Sequence, residues 1–479
     1  MIDIKKIKTS ILSFAFRGEL IDFPDKTKEN LELEKIHNEN KKYSAVKNDE
    51  WLILPPKHWN WTRLAYVTSN HGQITPLEAF CYIDVGTMDN VHQKLSKFEN
   101  IIEAKDAPSR AKKVVEFGDV LYSTIRPYLH NICIVDKEFS KTPIASTAFC
   151  VMKVNEQVLL SKFLFCWLIS VEFDRFSNGN PSKGTLYPAI GEKDLLNGVI
   201  PLPSIKEQQE IVVKIDEVFN ALDELDCIQM RYLADIEVLK AKIIDAGIRG
   251  DLTEQLPEDG TAEELYTKIQ EEKVALLQGG KIKKEKALPE IADNEIPFDI
   301  PPNWKWVRLG DISVKISSGN TPAGGNKSNA YVEKGYSFFR EQNIYNDGIL
   351  EEGLVYITEE LLKARENSTV MPMDILLNIT GGSIGRCALV PDDFTKGSIN
   401  QHILIIRMVD PRLRLYVHAC ICSPFIQKYI KGNTVGDKDG FSAGRCKNML
   451  IPLPPYAEQI RIVEKIREVI SCGQIMHLK

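Results

Sequence analysis

Ile200-Pro201-Leu202-Pro203 is followed by Glu207-Gln208, and Ile451-Pro452-Leu453-Pro454 by Glu458-Gln459. The first motif opens a helix-forming stretch that runs to Gly250, while the second opens one that stops at Lys479. The missing part lies at the other end of the chain. Ile7-Lys8-Thr9-Ser10-Ile11-Leu12 through Phe16-Arg17-Gly18-Glu19-Leu20 reads like Leu239-Lys240-Ala241-Lys242-Ile243-Ile244 through Ile248-Arg249-Gly250-Asp251-Leu252. The repeat is therefore cyclic: helix end, globular domain, whole helix, globular domain, helix start. A chain duplicated in this way folds as two similar units, and it presents two similar surfaces.

The stretch Glu207 to Arg249 has a helical period. Ile211, Ile215, Val218, Leu222, Leu225, Gln229, Tyr232, Ile236, Leu239, Ile243 and Ala246 follow alternating steps of four and three, the seam of a coiled coil. At 1.5 Å per residue the helix would be roughly 65 Å long, and Gly250 is placed to stop it. Gln229 is the one strongly polar seam position, a residue type that fixes register. The split copy continues the seam through Ile462, Ile466, Val469, Gly473 and Met476, then Ile4, Ile7, Ile11 and Phe14. Met1 and Lys479 are expected to lie close together beside the middle of helix 207–249. The completed second helix is expected to pack antiparallel to the first.

Acidic helical linkers follow each helix end, at Asn30–Lys35 and Ala262–Tyr266. Each leads to a proline-rich entry that blocks helix continuation, Leu54-Pro55-Pro56 before Trp59-Asn60-Trp61-Thr62-Arg63 and Ile300-Pro301-Pro302 before Trp304-Lys305-Trp306-Val307-Arg308. The tryptophans read as core anchors. The expected fold class is α/β (α+β): two domains of mixed strands and helices separated by a pair of long antiparallel coiled-coil helices, pseudo-twofold and cyclically arranged. The expected boundaries are 1–22 (N-terminal helix), 23–50 (linker), 51–203 (first domain), 204–250 (long helix), 251–298 (linker), 299–454 (second domain) and 455–479 (C-terminal helix). Expected strands include Val120–Ile125, Ile132–Val135 and Ala148–Val154, then Ser337–Arg340, Ile375–Ile379, Cys387–Val390 and Ile403–Met408. Each domain is expected to end in one amphipathic helix, Ser161–Phe176 and Pro411–Ile430, followed by a polar glycine-rich loop.

The net charge of −6 hides a division along the chain. Residues 199–299 carry 12 Lys/Arg against 23 Asp/Glu, whereas 57–198 carry 16 against 15 and 303–450 carry 18 against 15. The acid sits in the spacer, so the balance permits a polyanionic partner on the domains. No apolar run approaches a membrane span, and the N-terminus shows no apolar leader. The ten cysteines form no paired framework, which fits a reducing cytoplasm.

The two domains diverge where a binding surface is expected. The first carries Ala107–Lys113 and Tyr122–Tyr128. The second carries Ser318–Pro322, Phe339–Asn343 and Asn378–Ser383. Arg, Asn and Gln can make paired contacts to base edges, while Ser, Thr and backbone amides suit phosphates.

These residues resemble the specificity subunit of type I restriction–modification systems. The Ile-Pro-Leu-Pro-x-x-x-Glu-Gln sequences carry the resemblance, with Gly118-Asp119-Val120-Leu121-Tyr122-Ser123, Asp374-Ile375-Leu376-Leu377 and Gly319-x-Thr321-Pro322. It covers nearly the whole chain, and the chain departs from the commonest layout only in beginning with part of a helix repeat. The resemblance implies two target-recognition domains, each reading half of a split double-stranded DNA sequence. It also implies long helices that dock methyltransferase subunits, two per chain, with restriction subunits joining the full complex. This chain would bind no cofactor and no metal, and its partners would use S-adenosylmethionine, ATP and Mg. The DNA-contact candidates are Arg110, Lys112, Ser123, Arg126, Tyr128, Asn131 and Lys183 in the first domain. In the second they are Thr321, Lys327, Arg340, Gln342, Asn343, Ser383, Asn400, Lys438 and Arg445.

Catalytic motifs do not stand out. Leu453-Pro454-Pro455-Tyr456 has leucine where an adenine methyltransferase needs Asn or Asp, and no G-x-x-x-x-G-K-[ST] loop occurs. His418 and Cys422 share a helix face, which reads as core rather than as a metal site. The competing reading is a coiled-coil scaffold that binds two protein ligands and no DNA.

Overall fold

A computed structural model describes residues 1–22, 35–36, 44–96, 98–179, 188–320, 331–434 and 440–475, with side chains through Ser471. Lys183, Thr321, Lys327, Lys438, Met476 and Lys479 lie outside these residues, as do most of the linker Asn30–Lys35 and much of the two polar loops. The expected meeting of Met1 with Lys479 therefore lies outside them too, as does the burial of Gly473. The chain divides into two compact units, Met1–Met230 and Arg231–Lys479.

In the first unit, Trp61 pairs with Pro201 in a short antiparallel ladder of Asn60–Arg63 with Val199–Leu202. Two four-stranded sheets follow. One has the order Thr68–Ser69, Phe149–Val154, Val120–Ser123, Ile132–Ile134; the other is Ile101–Ile102, Phe80–Ile83, Pro143–Ser146, Ala111–Val114. The second unit repeats this plan. Trp306 pairs with Pro452, and Ser313–Ser318, Ile403–Met408, Ile375–Asn378 and Cys387–Leu389 form the matching sheet. The other sheet has five strands, including a parallel pair between Tyr336–Phe339 and Gly397–Ile399.

Each expected domain-ending helix is two helices, Ser161–Leu168 with Val171–Gly179 and Arg414–Cys422 with Pro424–Gly432. Pro424 cannot continue the preceding helix, and Ser423 restarts the chain by capping Ile426 N–H. In the first unit the Ser170 hydroxyl performs the same task for Phe173 N–H. In the linker, Thr261 and Glu264 form the capping box of helix Ala262–Gln278.

The long helix is continuous from Ile205 to Arg249. In the first unit the helix Ile4–Phe16 runs antiparallel to its first part. Ile2 meets Gln229, Lys8 pairs with Asp223 at 2.5 Å, and Leu12 joins the cluster holding Ile211 and Ile215. In the second unit Tyr456–Ile475 runs antiparallel to the remainder. Glu458 faces Thr253, Ile462 and Ile466 pack against Gly247, and Ile470 lies in the cluster with Ile243 and Ile244.

The seam is buried at Ile4, Ile211, Ile215, Ile462 and Ile466. It is half-buried at Ile7, Ile11, Val218, Leu222, Leu225, Gln229, Tyr232, Ile236, Ile243, Ala246 and Val469. Two positions depart from expectation. Phe14 is 45% exposed, and its helix buries Leu12, Ala15 and Phe16 instead. The last turn faces the globular domain, where Phe16 stands edge-on to Phe163 and Trp167. Its counterpart Ile248 is buried in the same way. Leu239 is 50% exposed and lies a turn from the half-buried Ile243.

Candidate nucleic-acid interface

The repeated motifs turn out to be the joints that hold each domain to its helix. The Trp59 indole N–H donates to Glu207 at 3.4 Å, and Trp304 donates to Glu458 at 2.8 Å. Gln208 donates to the Pro203 carbonyl and Gln459 to that of Pro454, so the Pro-x-Pro strand cannot swing away from the helix. Arg63 reaches Ser44 O, Asn197 O and Glu50. Arg308 reaches Pro289 O, Asn448 O and Glu295. A hydrogen bond from the Lys47 backbone and then the Arg63 guanidinium hold Glu50 below the usual carboxylate range. The Ala292 N–H and Arg308 do the same for Glu295. Gly18 and Gly250 have φ of +68° and +84°, and a Cβ on either would lie 2.2–2.3 Å from Pro56 or Pro301. Glycine is required there for both φ and space. The buried Trp59, Trp61 and Trp304 are core anchors, as the sequence suggests.

With these joints fixed, equivalent loops project from equivalent sheets. Strands Val120–Ser123 and Ile132–Ile134 are joined by the turn 124–131, and Ile375–Asn378 and Cys387–Leu389 by the turn 379–386. The backbone pattern is shared. Ser123 N–H donates to Asn131 O and Asn378 N–H to Arg386 O; Ile190 N–H donates to Thr124 O and Phe441 N–H to Ile379 O. Ahead of each strand, the buried Asp119 and Asp374 accept the backbone N–H of Glu116 and Met371. The Gly-Asp and Asp signals in the sequence thus mark a turn.

The expected contact residues divide by accessibility. Arg110, Lys112 and Gln342 are exposed, Arg126, Arg340, Ser383 and Arg445 are half-buried, and Tyr128 is 50% exposed. Strand alternation separates Lys112 from Lys113, which is buried in a 2.5 Å pair with Glu192. Four of the expected residues are enclosed. Ser123, Asn131, Asn343 and Asn400 are buried at 5% exposure or less. Ser123 Oγ donates to Ile125 O. Asn343 accepts from Arg340 N–H and donates to Leu350 O, and Asn400 donates to Glu341 and accepts from His402 N–H. Short polar side chains that close turns resemble base-reading side chains in a bare sequence. Arg340 and Arg445 also brace loops, at Gly353 O and Asn433 O.

The sequence reading did not single out His130 and Asp174, whose side chains meet at 2.6 Å. The signal was available in the duplication, since His130 and Gly385 stand seven residues after Ser123 and Asn378. No group of three His, Cys, Asp or Glu among the described residues is arranged to hold a metal. His418 Nε2 lies 2.9 Å from the Cys387 carbonyl. No described helix is long and apolar enough to cross a membrane.

Two copies of one sheet scaffold, each fastened to a long helix and each carrying different loops, define a duplicated, modular recognition protein. The chain belongs to the type I restriction modification DNA specificity domain family, whose model matches residues 68–227 and 301–479, and it is a specificity subunit. It is 23% identical to the type I restriction enzyme EcoAI specificity subunit of Escherichia coli across 99% of this chain and 90% of that one. Its fold matches a chain from a structure of the type I restriction–modification system, described for complex assembly and conformational transition. There the TM-score is 0.64 at 24% identity, covering 88% of this chain and 93% of the other. The HsdS subunit from Thermoanaerobacter tengcongensis matches with a TM-score of 0.50 at 23% identity and the same coverage. The matched domain is a DNA specificity domain, which favours this reading over a scaffold that binds only proteins.

Proposed function

We propose that the chain is the non-catalytic reading subunit of a DNA-modifying and DNA-cleaving complex, with each domain recognising one half of a split double-stranded target. The duplication of the scaffold with divergence of its exposed loops supports this reading most directly. The accessible members of the contact set, Arg110, Lys112, Arg126, Tyr128, Arg340, Gln342, Ser383 and Arg445, contact DNA, as do Lys183, Thr321, Lys327 and Lys438. Two methyltransferase subunits dock on the helical spacer, and restriction subunits complete the assembly in the cytoplasm. S-adenosylmethionine, ATP and Mg serve those partners and not this chain.

The test is an exchange of residues 303–450 for the corresponding domain of another family member, followed by methylome sequencing of cells that carry the chimaera. One half of the methylated sequence should change and the other should stay. A change in both halves, or methylation without sequence preference, would refute the modular reading.

A further inference from the structure

The two equivalent turns solve one backbone problem with different residues. In the second domain, φ is +67° at Gly381 and +88° at Gly385. In the first domain the same two places are held by Arg126 at +51° and His130 at +49°. Glycine takes this conformation without strain, whereas Arg and His do not. The side chains kept there at a cost to the backbone are therefore candidates for a task that the backbone alone does not perform.

The anchoring also differs in a related way. In the second domain Gln427, on helix Pro424–Gly432, donates to the Gly385 carbonyl at 2.8 Å, and a Cβ at Gly385 would strike its amide oxygen at 2.3 Å. In the first domain Asp174, on the matching helix Val171–Gly179, takes the His130 ring instead. Asn178 donates to the same carboxylate oxygen at 2.8 Å and holds it in place. Arg126 N–H donates to Pro188 O, which closes the near side of the turn. Between the two strained residues, Pro127-Tyr128-Leu129 forms a single 3₁₀ turn that lifts the half-exposed Tyr128 off the surface. At Gly381 and Gly382 a Cβ would meet nothing within 4 Å, so that turn offers bare backbone.

Resting on the reading above, we infer that Arg126 and Tyr128 are the side chains through which the first domain reads its half-site, and that His130 and Asp174 are the positioning pair that holds them there. Arg126 supplies the fork of donors suited to a base edge. The second domain reads no base with a side chain at this turn; its glycines let backbone N–H groups, with the Ser383 hydroxyl beside them, approach a phosphate, which positions without specifying.

The residues of the duplicate supply the test. Arg126→Gly and His130→Gly install the glycines that the second domain already uses, so the strain relieved should offset the bond to Asp174 that His130→Gly gives up, and thermal unfolding midpoints should change little. The full chain would be purified from its host in the intact complex. Binding would be measured to a duplex carrying the sequence methylated in those cells, and to duplexes with single base-pair changes in either half. Arg126→Gly and His130→Gly should each lose roughly 10-fold in discrimination at a base pair of the first domain's half-site, with the other half-site unchanged. His130→Gln, whose amide nitrogen can take the position of the ring Nε2 and so still reach Asp174, should recover part of the loss. Undiminished discrimination in both glycine variants, or equal loss at both half-sites, would overturn the inference. Absence of sequence preference in the wild-type complex would instead overturn the DNA-reading function on which it rests.

Discussion

The side-chain carbonyl of Gln229 accepts the backbone N–H of Ile2 at 2.7 Å, and its amide group lies 3.4 Å from the Ile2 carbonyl. The polar seam residue thus fastens the start of the chain to the middle of the long helix. Lys8 with Asp223, and Lys8 over the Phe219 ring, fix the same register about two and three turns on. Gln229→Leu makes this seam position apolar and removes both hydrogen bonds. The expected outcome is faster amide hydrogen exchange through Ile4–Phe16, with a loss of about 0.5–1.5 kcal/mol in global stability. Unchanged exchange at those amides would show that the contact does not hold the helix.

The register was legible because seam and motif repeat together; the face was not. Periodicity assigns Phe14 to the seam, yet Phe16 is the residue taken by Phe163 and Trp167. Tertiary packing overrides a heptad in the final turn, where the neighbour is a domain and no longer a helix. The candidate loops were legible, but not which of their side chains are accessible. Asn343 and Gln342 are adjacent and both suited to an adenine edge, yet one is enclosed by its own loop and the other is exposed. That difference arises from a backbone turn which the amino-acid types alone do not determine.

Glu458 is buried and accepts from Trp304, Thr253 and Gln255 at 2.8–3.1 Å. Three donors from two connections converge on one carboxylate at the start of a helix, where the helix dipole also favours the anion. Glu458→Ala strands these donors and should destabilise the chain by about 2–4 kcal/mol, read from chemical denaturation. Glu458→Gln should lose less, since one oxygen remains to accept. Equal losses in the two variants would contradict this account.

Acid should loosen the Arg–Glu clamps before the cores. Glu50 and Glu295 titrate below their ordinary value of 4.5 in the folded chain. A depressed folded pKa contributes stability that is complete above the unfolded value and is lost as pH falls through the folded one. Unfolding midpoints should therefore drop as pH falls from about 5 toward about 3. The Asp259 carboxylate, held down chiefly by its hydrogen bond to Arg461, adds to the same trend below its ordinary 3.8. Glu50→Gln with Glu295→Gln should flatten the curve in that window, and an unchanged slope would place the acid sensitivity elsewhere. Arg308→Lys should weaken the second clamp at every pH, because a single ammonium cannot reach Pro289 O, Asn448 O and Glu295 with the geometry of the guanidinium fork.

Another left-handed pair stands one residue ahead of the turn-capping aspartates. Gly118 and Met373 precede the buried Asp119 and Asp374, with φ of +88° and +66°. Both aspartates cap the turn in the same way, so the backbone shape belongs to the turn and not to the residue. Methionine in this region costs about 1–2 kcal/mol, and part of that is returned on replacement because glycine loses more chain entropy on folding. Met373→Gly should accordingly raise stability by roughly 0.5–1 kcal/mol. Met373→Ala should not, since alanine retains the Cβ clash and gives up the side-chain packing. Both variants should leave sequence discrimination at either half-site unchanged, which separates this turn from the one at Arg126. A Met373→Gly variant less stable than the parent would show that the methionine side chain contributes more to packing than its backbone conformation costs.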